Sequence, residues 1–313
     1  MQTLVSPLLL LFVIINCTTV TKGFLTHSMQ RIIQRQRLFF LRSTKRNIQH
    51  SQYQTIMSPS FTIVQVPCLG DNYGYLVHDP VSGDTAAIDT PDADAYRQVL
   101  KQRGWKLTHI FNTHHHSDHT GGNLELKEEG GVEIYGPAKE NIPGIDQKLS
   151  HGDEVEFGKQ KGQIIGVGGH TKDHIAYYFP SESSAFTGDA LFALGCGRMF
   201  EGSPPQFWKS LERLRNLPDD TKVYCAHEYT EANAKFAVSV EPSNDKLQQR
   251  YQHILKQRKA GEPTVPSNLG EEKLTNPFLR CDVSDEIRKN VGVTSDDTPA
   301  DAFAKVRMAK DNF

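Results

Sequence analysis

Residues 113–122 read T-H-H-H-S-D-H-T-G-G, and the run L-T-H-I-F-N at 107–112 feeds straight into them. His114 and His116 are two apart and Asp118 and His119 are adjacent, so one short loop can aim two pairs of ligands at two neighbouring points. Imidazole nitrogen and carboxylate oxygen are borderline-to-hard donors that suit zinc, iron or manganese. A solvated histidine-rich turn is the competing reading. It leaves unexplained the largely apolar run that enters the stretch and the two glycines that leave it.

The surroundings read as an α/β chain. Residues 61–67 alternate as a strand, 71–74 (D-N-Y-G) mark a turn before Tyr75, Leu76 and Val77, and 85–89 form a short buried strand. Residues 94–103 place Tyr96, Val99 and Leu100 on one helical face that Gly104 closes, and 107–113 then form the strand that delivers the cluster. Strand, helix, strand with the chemistry at a strand's carboxyl end is a familiar arrangement for an active site. Residues 132–135 make another short strand. Three later strands repeat the pattern: 163–167 lead to Gly168, Gly169 and His170, 184–187 to Gly188 and Asp189, and 221–226 to His227.

Beyond these the chain is mostly helical. Ser203, Pro204, Pro205 and Gln206 read as a capping box opening a helix that buries Phe207, Trp208, Leu211 and Leu214. Helices follow at 230–236 and 245–260, then a Pro-rich connector at 263–277. A last helix starts with Thr298 as cap, Pro299 at its first position and Asp301 three residues from the cap. On it Arg307 and Lys310 are three apart and share a face.

Charge is unevenly spread along the 313 residues. The first 70 contain no Asp or Glu and seven Lys or Arg, so acidic residues outnumber basic ones by nine in the remainder. A net-acidic body argues against nucleic acid as a partner. The acid-free start reads as a leader over 1–57: an apolar run at 4–17, too short for a stable membrane span, then alternating Arg and apolar residues from Met29. That pattern predicts an organelle, with the mitochondrion first and a plastid reached through signal plus transit peptide second. A start at Met57 would instead give a cytoplasmic enzyme. Five widely spaced cysteines make neither a zinc knuckle nor a disulfide framework, as expected in a reducing compartment.

The pattern His114-x-His116-x-Asp118-His119, followed by His170, Asp189 and His227, resembles the metallo-β-lactamase superfamily. The strings THHHSDHTGGN, GGHTKDH, FTGDALFALGCGRMFEGS, CAHEYT, PTVPSNLGEEKLTNPFLR and the terminal RMAKDNF are similar to glyoxalase II, the hydroxyacylglutathione hydrolases. The resemblance implies a four-layer αβ/βα sandwich followed by a C-terminal helical domain, with a catalytic domain at 58–229 and a substrate-binding domain at 230–313. It implies two divalent ions, zinc first and iron or manganese as alternatives. His114, His116 and His170 would hold one, Asp118, His119 and His227 the other, and Asp189 both. Two cations about 3.5–4 Å apart can share a water and bring its pKa toward ~7. The implied reaction is hydrolysis of S-D-lactoylglutathione to glutathione and D-lactate, in methylglyoxal detoxification, with Asp118 and Asp189 as catalytic residues. A thiol of pKa about 8.5 leaves without a strong general acid.

Substrate contacts implied by the same resemblance are Arg198, Met199, Phe200, His227, Glu228, Tyr229, Arg307 and Lys310, with Asn233 a weaker candidate. Phe200 lacks the hydroxyl that some members carry there. Arg307 and Lys310 would clamp a glutathione carboxylate, although a solvated basic helix end reads equally well from the residues. His115 reads as facing a neighbour or solvent and His174 as an orienting or packing residue, while His109 and His151 are unassigned. The partner is a small glutathione thioester and the chain a monomer. A persulfide dioxygenase acting on glutathione persulfide with one iron is the alternative enzyme.

Overall fold

Apolar residues occupy both faces of the central strands, and a sheet so built must be covered on both sides. The computed structural model describes residues 60–313, so the leader expected at 1–57 lies outside the described residues. Strands β1 (Thr62–Cys68), β2 (Asn72–His78), β3 (Thr85–Ile88), β4 (His109–Phe111), β5 (Glu133–Pro137) and β6 (Gln147–Leu149) form one six-stranded sheet in that order. Its first three strands pair antiparallel and β3 to β6 pair parallel. The second sheet runs β12-β11-β10-β9-β8-β7. It comprises β7 (Glu154–Phe157), β8 (Gln160–Gly166), β9 (Ile175–Phe179), β10 (Ser184–Gly188), β11 (Lys222–Cys225) and β12 (Ser267–Asn268), parallel only between β10 and β11.

Two-residue periodicity then sorts each strand between two cores. Tyr75, Val77, Ala86, Ile88 and Phe111 meet Ile164, Ile175, Tyr177, Phe179 and Phe186 between the sheets, where Phe111 stacks on Tyr177 at 5.2 Å. Their neighbours Leu76, Ala87 and Ile110 face outward onto Tyr96, Leu100 and Leu126, which lie on α1 (Ala93–Arg103) and, beyond the one-turn helix α2 (Ser117–Thr120), α3 (Asn123–Glu128). On the other side Ile165, Ala176, Tyr178, Ala185 and Val223 pack with Phe207, Trp208 and Leu211 of α4 (Pro204–Arg215). Each large side chain so buried contributes roughly 1.5–3 kcal/mol. The result is the expected four-layer helix, sheet, sheet, helix order.

The C-terminal region supplies α5 (Thr230–Val240), α6 (Asp245–Lys259), α7 (Leu269–Thr275), α8 (Pro277–Arg280), α9 (Asp285–Asn290) and α10 (Pro299–Asp311). Its Pro-rich stretch is more than a connector: Ser267 and Asn268 pair with Val223 and Lys222 as β12, and α7 follows at once. The last helix carries its capping box, Thr298 and Asp301 each bonding the other's backbone N–H. At α4 the box is not made. Pro204 and Pro205 occupy the first turn, and Gln206 instead donates through Nε2 to the Lys172 carbonyl at 2.8 Å. The turn expected at 71–74 lies earlier, at 69–71, because β2 already begins at Asn72 and the Tyr73 N–H donates to the Ala226 carbonyl at 2.7 Å.

Glu241 ties this region together. At the end of α5 its buried carboxylate accepts from Arg280 Nε at 3.0 Å and Nη2 at 2.7 Å, from Asn244 Nδ2 at 2.9 Å and from Ser284 Oγ. Burial pushes the carboxyl up, but these donors more than offset it and hold it below its ordinary value. A depressed carboxyl pKa contributes stability that is present above the unfolded value of about 4.3 and is lost as pH falls through the folded value. Glu241→Gln is expected to destabilise the protein by about 1–3 kcal/mol at pH 7. It should also flatten the pH dependence of urea unfolding below about pH 4.3, and an unchanged acid limb would contradict this role.

Candidate metal centre

The loops that leave β4, β8, β10 and β11 converge at one end of the two sheets, each bringing side chains chosen by its local backbone. Asp89, just after β3, sits in the left-handed region at φ 52, a conformation aspartate tolerates better than most residues. Its carboxylate accepts from Thr113 N at 2.8 Å and Thr113 Oγ1 at 2.9 Å, which anchors the start of the histidine loop. The helix α2 then turns His119 inward. Gly188 at φ 49 delivers Asp189, and no other residue fits: a Cβ there would lie 2.4 Å from Thr113 Oγ1 and 2.8 Å from His174 Cε1.

Two sets of donor atoms result. His116 Nδ1 lies 3.0 Å from both His114 Nε2 and His170 Nε2. His119 Nε2 and His227 Nε2 lie 3.6 and 3.5 Å from Asp118 Oδ2. Asp189 stands between the sets, Oδ2 being 3.3 Å from His170 Nε2 and Oδ1 3.4 Å from both His119 Nε2 and His227 Nε2.

Hydrogen bonds on the far side of each ring decide which nitrogen carries the proton. His119 Nδ1–H donates to Asp89 Oδ2 at 2.9 Å, His227 Nδ1–H to Asp71 Oδ1 at 2.9 Å, and His170 Nδ1–H to the Arg198 carbonyl at 2.8 Å. Thr113 Oγ1 has given its proton to Asp89, so at 3.0 Å it accepts from His114 Nδ1. All four rings thereby turn an Nε2 lone pair inward. His116 Nδ1 has at most one proton to share between the two Nε2 atoms 3.0 Å from it, and His119 Nε2 and Asp189 Oδ1 are buried without a protein partner. The donor set therefore fits divalent ions. Burial, then the neighbouring imidazoles, holds His114 well below its ordinary pKa. His119 behaves oppositely: burial lowers it, but Asp189 and Asp89 raise it to about 9, so a proton and a cation compete for that field.

The remaining histidines fall outside both sets. His115 Nδ1 meets Glu140 Oε2 at 2.9 Å. His174 stacks on His114 at 4.5 Å and its Nε2 accepts the Asp189 N–H at 3.1 Å. His109 packs among Phe111, Tyr135 and Phe157, and His151 is exposed.

The substrate candidates divide. Phe200, 62% exposed, lies 5.2 Å from the His170 ring, and Tyr229 stacks on His227 at 4.6 Å. Met199 is half-buried against the outer core, and Asn233 donates to the Ala193 carbonyl at 3.1 Å. The Glu228 carboxylate is already occupied, accepting from Tyr73 Oη, Thr264 N and Arg258 Nη1 at 2.9, 2.9 and 3.3 Å. Arg307 is buried and donates to the Cys196 carbonyl at 2.9 Å and to Asp311 at 2.8 Å, so it is less free than a bare helix end suggests. Lys310 lies beside it over Phe236 and Phe313, and Arg198 is exposed with its Nε 3.9 Å from Asp311. Residues 71, 72, 89 and 140 escaped the sequence reading as orienting groups; Asn72 Nδ2 donates to Asp118 Oδ2 at 3.1 Å.

Residues 74–227 match the metallo-β-lactamase superfamily model, and 228–313 match the model of the hydroxyacylglutathione hydrolase C-terminus. A hydroxyacylglutathione hydrolase of Erythrobacter litoralis is 52% identical over 252 residues, covering 80% of this chain and 99% of the relative. One from Methylococcus capsulatus is 51% identical over 254 residues, covering 80% and 98%. Among solved structures, ETHE1 from Myxococcus xanthus superposes with a TM-score of 0.56 at 27% identity, over 80% of this chain and 98% of that one. The comparisons correct the expected location. These relatives are bacterial, matched over nearly their whole length by 80% of this chain, and an organellar enzyme, mitochondrial or plastid, finds no support in them. Among the described residues no helix is long and apolar enough to cross a membrane, and Cys68, Cys196, Cys225 and Cys281 are free and buried.

Proposed function

The chain belongs to the hydroxyacylglutathione hydrolase family of the metallo-β-lactamase superfamily, and on that premise we propose that it hydrolyses S-D-lactoylglutathione to glutathione and D-lactate at the centre described above. The observation that carries the reading is the Asp189 carboxylate, one oxygen toward each imidazole set. His114, His116 and His170 would hold a first divalent ion, Asp118, His119 and His227 a second, and Asp189 would serve both, with zinc the first choice and iron or manganese suited to the same donors. When bound, the ions supply Lewis acidity for the thioester carbonyl and an activated water at neutral pH.

The protein's own groups do the rest. Asn72 holds one Asp118 oxygen, which leaves the carboxylate oriented to accept a proton from the attacking water. Burial, then the Asp71 and Asp189 charges, pushes Tyr229 up to about 12, so its phenol stays a donor at the mouth of the site. Phe200 and Tyr229 flank the ligand rings. Burial, then the Arg307 and Arg198 charges, holds the Lys310 ammonium below its ordinary value. A substrate carboxylate placed there relieves that repulsion, which suits a tripeptide thioester with two carboxylates.

The test is hydrolysis of S-D-lactoylglutathione by the full chain, lost on chelation and restored by metal. Lys310→Ala is expected to raise KM about tenfold with kcat nearly unchanged, as loss of one uniform binding contact does. Full metal occupancy without thioesterase activity would sink the reading, and oxygen uptake with glutathione persulfide would replace it with the dioxygenase.

A further inference from the structure

Glu140 follows β5 and belongs to neither ligand set, yet its side chain is only 3% exposed. Oε2 accepts the His115 N–H at 2.8 Å and meets His115 Nδ1 at 2.9 Å. Oε1 accepts from Thr171 Oγ1 at 2.5 Å and from the Asp173 N–H at 3.2 Å. One carboxylate thus joins the loop bearing His114 and His116 to the loop bearing His170. A second arm closes the same gap: His115 Nε2 lies 3.4 Å from Glu201 Oε1, and Glu201 Oε2 accepts the Lys172 N–H at 2.9 Å. His115 is the wedge between the two carboxylates.

These two loops carry all three imidazoles of the first set. The second set is braced elsewhere, His119 by Asp89, His227 by Asp71 and Asp118 by Asn72. For the first set to be cation-ready, His116 Nδ1 must present a lone pair 3.0 Å from those of His114 and His170, and holding the three in place against their mutual repulsion calls for an external brace. Bonds from a carboxylate to N–H and O–H donors are the stronger kind, and Glu140 supplies them to both loops at once.

We propose that Glu140 is a positioning residue for the first ion: by clasping residues 115, 171 and 173 it sets the spacing of His116 and His170 and so the affinity of that ion, touching neither substrate nor metal. The inference rests on the two-ion reading above.

Metal-stripped full chain titrated with zinc against a chelator separates the two. Wild type is expected to bind two ions tightly. Glu140→Gln places an amide NH2 against one loop's donors, and should keep one tight ion while weakening the other by about 10–100-fold. Asp71→Asn, which unseats His227, should weaken the complementary ion, and the double variant should weaken both. Glu140→Asp keeps the charge but is too short to reach both loops. It should show the same loss of one ion, and serves if the glutamine variant folds poorly. Two ions bound as tightly by both Glu140 variants as by wild type, even with a lowered melting temperature, would overturn the clasp and leave a merely structural carboxylate. Fewer than two tight ions in wild type would overturn the two-ion reading and the clasp with it.

Discussion

Asp189→Asn is expected to lower kcat/KM for S-D-lactoylglutathione by about 10³-fold or more, roughly 4 kcal/mol of transition-state stabilisation. Oδ1 faces His119 and His227 of one set, and Oδ2 faces His170 of the other. Asparagine has one acceptor oxygen and one NH2, so whichever way it turns, one set meets N–H where it had a lone pair. It also removes the negative charge that the two proposed cations would share. The backbone is not at stake, since the 189 N–H still donates to His174 Nε2 and the side chain keeps its volume. Elemental analysis should find the metal content reduced below two per chain with the circular dichroism unchanged. A variant within tenfold of wild type and still carrying both ions would remove Asp189 from the bridging role.

The second large effect is on stability. Glu272→Ala is expected to cost about 3–5 kcal/mol, because it strands a buried guanidinium. Glu272 is fully buried and bonds Arg250 Nη2 directly, while its other oxygen accepts the Leu194 N–H at 2.9 Å and Asn276 Nδ2 at 3.1 Å. Leu194 is itself in the left-handed region at φ 57, so this bond also holds strained backbone in the segment between Asp189 and Arg198. Arg250 keeps Thr275 Oγ1 at 2.7 Å and the half-exposed Glu271 at 3.1 Å, which places the loss at the lower end. Against a total of about 5–15 kcal/mol this is a large fraction. At about 2–4 °C per kcal/mol the melting temperature should fall by roughly 6–12 °C. A fall of only a degree would show that Glu271 takes over the pairing.

Element types were largely legible because two-residue alternation and helix caps are local. Gly104 closes α1 at φ 68, and Thr298 with Asp301 opens α10. What local pattern could not carry was anything claimed from afar. Asp71 and Asn72 read as turn residues, yet Asp71 bonds His227 across 156 positions and Asn72 holds Asp118 across 46. The residues at 267–268 read as connector and became β12 because the edge of β11 was open to them. Arg307, expected as a clamp for a substrate carboxylate or else a solvated helix end, lies buried and bonded to Cys196 111 positions away. The organellar address rested on composition at 1–57, and the bacterial relatives correct it.

The sequence by itself determined the donor types and their delivery: histidines and aspartates placed one to eight residues beyond apolar strands, a relation written in a short stretch of chain. Only the tertiary structure decided which lone pair each ring presents. A histidine's ligating nitrogen is chosen by where its other nitrogen finds an acceptor, and for His119, His227 and His170 those acceptors, Asp89, Asp71 and the Arg198 carbonyl, lie 28 to 156 positions away, while the neighbouring Thr113 serves His114 only because Asp89 takes its proton. The same holds for Glu140, whose four bonds cross 25 to 33 positions and exist only once two ligand loops have met.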